Sequence, residues 1–249
     1  MKKAVLVTGA SSGIGAATAK LFANQGYFVY LLGRNEERLQ EVALSCPGGA
    51  SLLKCDLNNE AQLDKYTKHL FERADTQLEV LVNNAGVFEQ HTSQKDEGLD
   101  IWRKMFETNF FGSINLTQRV LPLLARHHQG SIVNVSSTLG LRPTAQTAAY
   151  SASKAAMINW TQSLALELGP QKIRVNCVCP GLVDTPIHAF HSLNSKAKEA
   201  ALDNMKNLQP LGRIGHPEEI AQSIYFLGSQ QSSWTTGAIL SVDGGINLT

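Results

Sequence analysis

A chain of 249 residues with 22 Lys and Arg against 21 Asp and Glu has a formal charge of +1 and interspersed signs, which leaves no basic stripe for nucleic acid. With 43% hydrophobic and 17% charged residues it can bury a sizeable core, and no linker, charge block or low-complexity tract divides it, so one domain over residues 1–249 is expected. Only four apolar residues follow Met1-Lys2-Lys3 before Thr8-Gly9, too few for a signal-peptide core or a membrane span, so a soluble cytoplasmic protein is expected.

Residues 4–7, Ala-Val-Leu-Val, suit a strand buried on both faces, and residues 16–24 suit a helix. Between them runs Thr8-Gly9-Ala10-Ser11-Ser12-Gly13-Ile14-Gly15. Such a turn leaves N–H groups unpaired at the positive end of a helix dipole, and its glycines remove Cβ atoms that would hold a phosphate away. The stretch reads as a pyrophosphate cradle. Its spacing, G-x-x-x-G-x-G, differs from the commoner G-x-G-x-x-G, and glycine-rich strand-to-helix turns also occur for structural reasons alone.

Gly26 stops the first helix, and residues 27–32 read as a second strand ending at Gly33-Arg34. An acidic residue at that strand end would bond the adenosine ribose hydroxyls of NAD, whereas a 2′-phosphate needs the carboxylate absent and a cation nearby. Gly33 brings no carboxylate and Arg34 brings the cation, so NADP(H) is the expected cofactor. The other reading of Arg34 is a solvated loop residue beside Glu36 and Glu37.

Asn35 caps a helix through residue 43, and residues 51–55 give a third strand ending at Asp56 and Leu57. The Asp56 carboxylate can accept from an adenine amino group, or it can cap the next turn through Asn58 and Asn59. A polar helix to residue 73 precedes a fourth strand, 78–82, which runs into Asn83-Asn84-Ala85-Gly86. Small and amide residues there let the chain pass close to a flat adenosine.

Asp100 starts a long helix over 101–126, with Asn109 and Gly112 near its middle and Pro122 near its end. Pro122 should end or kink it. Asn109 is unfavourable inside a helix and asks for a reason, of which local side-chain bonding to the backbone is one. Residues 131–135 form a fifth strand ending at Ser136-Ser137, 149–168 a helix, and 173–179 a sixth strand ending at Pro180-Gly181.

Residues 182–211 lose strict periodicity, hold Pro186, His188, His191 and Pro210, and form the candidate lid. Pro217, Glu218 and Glu219 open a helix to residue 227, and 239–242 give a last strand before Asp243-Gly244-Gly245. Seven strands separated by helices, without hairpin signals, predict an α/β fold: a doubly wound, Rossmann-like parallel sheet with helices on both faces. Its crevice would lie at the carboxyl ends of the strands, where Thr8, Gly33, Asp56, Asn83, Ser137 and Pro180 fall. Cys46, Cys55, Cys177 and Cys179 show no C-x-x-C and no His pair at zinc spacing, so no metal is expected; they read as reduced core thiols, with Cys177 and Cys179 on one strand face.

Tyr150 and Lys154 are four apart on one predicted helix and so share a face, and Ser137 ends the preceding strand. A phenol beside an ammonium is the pair needed for proton transfer, because the cation favours the phenolate. Taken alone, Tyr-Ser-Ala-Ser-Lys is also only a helix start with an exposed lysine.

Together with the glycine turn, Asn83-Asn84-Ala85-Gly86, Asn109, Pro180-Gly181 with Thr185, and Ser241-Val242-Asp243-Gly244-Gly245, these residues resemble the short-chain dehydrogenase/reductase family over essentially the whole chain. The likeness is nearest to bacterial 3-oxoacyl-carrier-protein reductases and the related carbonyl, sugar and steroid dehydrogenases. It implies Tyr150 as acid or base at the substrate oxygen, Ser137 orienting that oxygen, and Lys154 holding the nicotinamide ribose and lowering the Tyr150 pKa. Asn109 would complete a proton relay through its backbone carbonyl. Gly9, Ser11, Ser12, Gly13, Ile14 and Gly15 would take the pyrophosphate. Arg34, Asp56, Leu57, Asn84, Ala85 and Gly86 would take the adenosine side, and Pro180, Gly181, Val183 and Thr185 the nicotinamide end. A homotetramer and a small carbonyl or alcohol substrate are implied as well. Relatives that dock acyl carrier protein use basic residues where this chain has His127-His128-Gln129 and Gln171-Lys172, which is thin support for that partner. The rival expectation is a cofactor-sensing binding protein that keeps the fold without turnover.

Overall fold

The computed structural model describes residues 1–91, 98–126, 130–188, 206 and 208–249. Seven strands, β1 (Lys2–Thr8), β2 (Phe28–Gly33), β3 (Ala50–Lys54), β4 (Thr76–Asn83), β5 (Ser131–Val135), β6 (Arg174–Pro180) and β7 (Ile239–Val242), form one sheet in the order β3-β2-β1-β4-β5-β6-β7. Every pairing is parallel, as in Val5 with Val29 on one side and Val80 on the other. The order reverses between β1 and β4, and such a switch point opens a crevice at the carboxyl edge.

Successive side chains of a strand leave opposite faces, so each central strand feeds two cores. Ala4 and Leu6 pack with Leu63, Leu116, Val120 and Leu164, from helices α3 (Glu60–Glu72), α5 (Gly112–Ala125) and α6 (Ala148–Leu168). Val5 and Val7 pack instead with Ala19, Phe22, Leu39 and Ile224, from α1 (Gly13–Asn24), α2 (Glu36–Leu44) and α7 (Pro217–Gly228). The expected doubly wound, helix-flanked sheet is therefore observed.

The helix expected over 101–126 is instead three pieces: α4 (Asp100–Phe106), a π-helical turn (Glu107–Phe111) and α5. The widened turn carries Asn109, whose fully buried amide accepts from Val87 N at 2.7 Å and donates to Val87 O at 3.0 Å. The reason for an Asn in this helix is thus tertiary, a clamp on the chain leaving β4, and π-turns often mark such functional insertions. Pro122 does not break the helix where it stands, since α5 continues to Ala125.

Candidate active site

A cleft of about 790 Å³ runs along the carboxyl edge of the sheet, within the size range of small-molecule and cofactor sites. Its walls include every residue expected at the cofactor except Gly15, together with Ser137, Tyr150 and Lys154. Asn109 stands behind the wall.

At the switch point two strand ends interlock. The Thr8 hydroxyl donates to Val82 O at 3.3 Å and accepts from Asn84 N and Ala85 N, each at 2.9 Å. The Asn84 amide returns the tie by donating to Thr8 O at 2.8 Å and Gly9 O at 3.4 Å. Gly9 has φ +63°, and a Cβ on it would sit 2.9 Å from Ala85 Cα; a Cβ on Gly15 would strike Gly9 O and lie 2.5 Å from the Asn84 amide nitrogen. Gly15 therefore shapes the turn from behind, which is why it does not line the cleft. The first turn of α1 carries no acidic residue, so nothing in it neutralises the N-terminal dipole. Asn83, in contrast, turns away from the cleft and donates to Thr117 Oγ1 at 3.1 Å and Asn134 Oδ1 at 2.9 Å.

Beyond β2, the exposed Arg34 lines the mouth of the cleft and is joined by Arg38, one helical turn on, which the sequence reading passed over. The predicted cap at Asn35, which starts α2 at the strand end and puts Arg38 in its first turn, was the signal available. Asn35 accepts from Arg38 N at 2.9 Å and so caps α2 as expected. Asp56 caps its own turn, accepting from Asn58 N at 3.0 Å, and also lines the cleft.

At the other end, Tyr150 and Lys154 share the inner face of α6, and both are buried. The Lys154 ammonium donates to Val135 O at 2.9 Å and lies 5.8 Å from the centre of the Tyr150 ring. Burial lowers the Lys154 pKa to about 8. Burial also pushes the Tyr150 phenol up to about 12, against a smaller downward pull from its hydrogen bond with Ser137. This departs from the expected lowering, because desolvation by burial is the largest influence on the phenol. The phenol is consequently held protonated, in its donor form. Ser137 also accepts from Leu139 N at 3.1 Å, which fixes its hydroxyl at the head of a short 3-10 turn, Thr138–Gly140.

Asn109 reaches this end through Ser153, donating to its Oγ at 3.2 Å, while Ser153 donates to Tyr150 O at 2.7 Å. Its side chain is a positioning element for the Tyr150 turn and for Val87. Cys177 and Cys179 are buried with their sulfurs 3.9 Å apart on one face of β6. Of the candidate lid, residues 189–205, with His191, and residue 207 lie outside the described residues, as do His127, His128 and Gln129. No helix among the described residues is long and apolar enough to cross a membrane.

A family model described as Enoyl-(Acyl carrier protein) reductase matches residues 9–247. The 3-oxoacyl-[acyl-carrier-protein] reductase of Thermotoga maritima is 38% identical over 247 residues, covering 98% of this chain and 97% of the relative. Carbonyl reductase family member 4 of Danio rerio is 38% identical over 249 residues, covering 100% and 99%. Among solved structures, L-sorbose reductase from Gluconobacter frateurii, complexed with NADPH and L-sorbose, superposes with a TM-score of 0.92 at 28% identity, covering 100% of this chain and 97% of that one. With the parallel sheet, the glycine turn at its switch point and Ser137, Tyr150 and Lys154 in one cleft, these matches establish that the chain belongs to the short-chain dehydrogenase/reductase family of oxidoreductases.

Proposed function

We propose that the protein transfers a hydride between NADP(H) and a carbonyl or secondary alcohol, with Tyr150 as general acid or base. The observation that carries this reading is a single cleft with a glycine cradle and Arg34 at one end and a buried Tyr150, Ser137 and Lys154 group at the other. The residues present fit the dinucleotide: Gly9 and Gly15 let the turn close against Ala85 and the Asn84 amide, where a Cβ would force it out of shape, Gly33 offers no carboxylate, and Arg34 with Arg38 supplies cations. Ser11, Ser12, Gly13 and Ile14 would hold the pyrophosphate, Asp56, Leu57, Ala85 and Gly86 the adenosine side, and Lys154, Pro180, Gly181, Val183 and Thr185 the nicotinamide end.

Bound there, the nicotinamide supplies or accepts the hydride. Ser137 and Tyr150 hydrogen-bond the substrate oxygen, and Tyr150 gives its proton to that oxygen as negative charge builds on it. The Lys154 ammonium offsets the charge left on the phenolate. Asn109 has its amide committed to Val87 and Ser153, so its share in proton return falls to its main-chain carbonyl. Homotetramer assembly and a cytoplasmic location belong to the same reading. The edge strand β7, with exposed Leu240, and the aromatic run Phe106, Phe110, Phe111 and Trp160 on α4, the π-helical turn and α6 support the former.

The test is NADPH absorbance loss with ketones, 3-oxoacyl thioesters and quinones, for the wild type and for Tyr150→Phe. The substitution keeps the ring and removes the proton donor, so kcat falls by about 10²- to 10⁴-fold while the Kd for NADPH holds. A loss below about tenfold means that another group donates the proton. Tight NADPH binding with no turnover of any carbonyl favours the cofactor-sensing alternative.

A further inference from the structure

The turn after β7 is built with more care than a connection needs. Asp243 accepts from Gly245 N at 3.0 Å and Asn247 N at 3.2 Å, and Gly244 and Gly245 take φ of +60° and +89°. The backbone reverses there at no steric cost, and the short turn Ile246–Leu248 follows. Two stretches of chain, one after β5 and one after β6, then pin it through three hydrogen bonds. Leu211 N donates to Gly244 O at 3.1 Å, Gly181 N donates to Val242 O at 3.1 Å, and Arg142 donates to Asn247 O at 3.5 Å. These loops follow β5 and β6, the strands that bring Ser137 and Pro180 to the cleft. The pinned turn delivers one side chain, Ile246, into the cleft wall.

The cleft lining divides by chemistry along the sheet. Arg34 and Asp56 come from the ends of β2 and β3 and Arg38 from the first turn of α2, all on one side of the switch point. On the Tyr150 side the lining contains Phe88, Leu139, Ile187, Leu208 and Ile246, and its polar members, hydroxyls such as Ser137, Thr144 and Thr147 and the amide of Gln90, are neutral apart from Lys154. Among the described residues, Lys154 is the sole charge of that half, and it is committed to Val135 O. A carboxylate or phosphate entering there would be desolvated without a counter-charge, which is costly, whereas an apolar chain gains on burial.

From this division we infer that Ile246 is a specificity-determining residue, and that the turn after β7 walls the substrate end so as to admit a neutral, apolar ketone or secondary alcohol rather than a keto acid or a ketose. The inference rests on the oxidoreductase reading above and goes beyond it by naming the substrate class and the residue that enforces it.

Steady-state kcat/KM with NADPH for a 3-oxo ester, the 3-oxo acid of equal chain length, and a ketose tests it. The wild type prefers the ester by tenfold or more. Ile246→Leu keeps that ratio, Ile246→Ala raises KM for the short ester threefold or more while improving longer esters, and Ile246→Lys moves the ratio toward the acid by at least tenfold. A wild type that prefers the acid or the ketose, or an ester-to-acid ratio unmoved by Ile246→Lys, overturns the inference. If no carbonyl is reduced at all, the oxidoreductase reading fails, and equilibrium binding of the ester and the acid to the NADPH complex decides the wall separately: tighter ester binding that Ile246→Lys reverses upholds it, and tighter acid binding overturns it.

Discussion

The two ends of the cleft are made of different material. The end at the switch point is backbone: strand ends, a glycine turn, and the amide and hydroxyl of Asn84 and Thr8 tying one to the other. The Tyr150 end is side chains, delivered by α6 and by loops that follow β4, β5, β6 and β7, and brought together only by the finished fold. Backbone construction makes the first end intolerant of any added atom, while side-chain construction lets the second be recut without disturbing the sheet. A family can therefore keep one cofactor and change substrates.

The sharpest way to break this comparison is Gly15→Ala, a single methyl at the backbone-built end. Its Cβ would strike Gly9 O and the Asn84 amide, so the turn must shift. NADPH binding falls by at least about 10²-fold, and overpacking costs about 1–3 kcal/mol of stability, read from the Kd and from chemical unfolding. A variant that binds NADPH normally would show that this end is as tolerant as the other.

A smaller effect is expected where the backbone-built end meets solvent. Gly33→Asp meets the tip of Leu39, 3.3 Å from the new Cβ, and Ser11 at an ordinary 3.7 Å, so it folds; its carboxylate repels a 2′-phosphate and accepts from a 2′-hydroxyl. The preference moves from NADPH to NADH. Arg34→Ala weakens NADPH roughly ten- to a hundredfold and leaves NADH nearly unchanged, since a charge-assisted pair is worth about 1.5–3 kcal/mol. The ratios of kcat/KM for the two cofactors in the three proteins check both claims, and equal loss of both in Arg34→Ala removes Arg34 from the phosphate.

The smallest effect is a matter of pH. Burial places the Lys154 pKa at about 8, so its ammonium is present below that value and lost above it. If the ammonium holds the ribose, NADPH affinity declines as pH rises through 8, by up to about tenfold per unit. Lys154→Met binds more weakly and loses this slope. Fluorescence titration from pH 7 to 10 measures both curves, and parallel curves in the two proteins would detach Lys154 from the cofactor.

The contrast between the two ends also explains what could be read in advance. The seven strands were legible because buried parallel strands leave short apolar runs, and the glycine turn because its three glycines fall within seven residues of chain. Tyr150 and Lys154 were legible because one helix carries both. The break at Asn109 was not, since its cause is Val87, twenty-two residues earlier in the chain. Nor was Ile246, which reaches the cleft through contacts with loops after β5 and β6. The upward push on the Tyr150 phenol was equally hidden, because four-residue spacing reports a neighbouring cation and says nothing about how dry the site is.

The tie between Thr8 and Asn84 has a consequence for how the protein is made. These residues are 76 apart, and the turn that looks local in the sequence is held in shape by a strand synthesised much later. A nascent chain that has emerged only through β3 carries every glycine of the motif and has no partner to fix their conformation. Cofactor can lend its binding energy to this turn only after β4 has docked beside β1, so the first 83 residues must be made and paired before the glycines can hold a ligand.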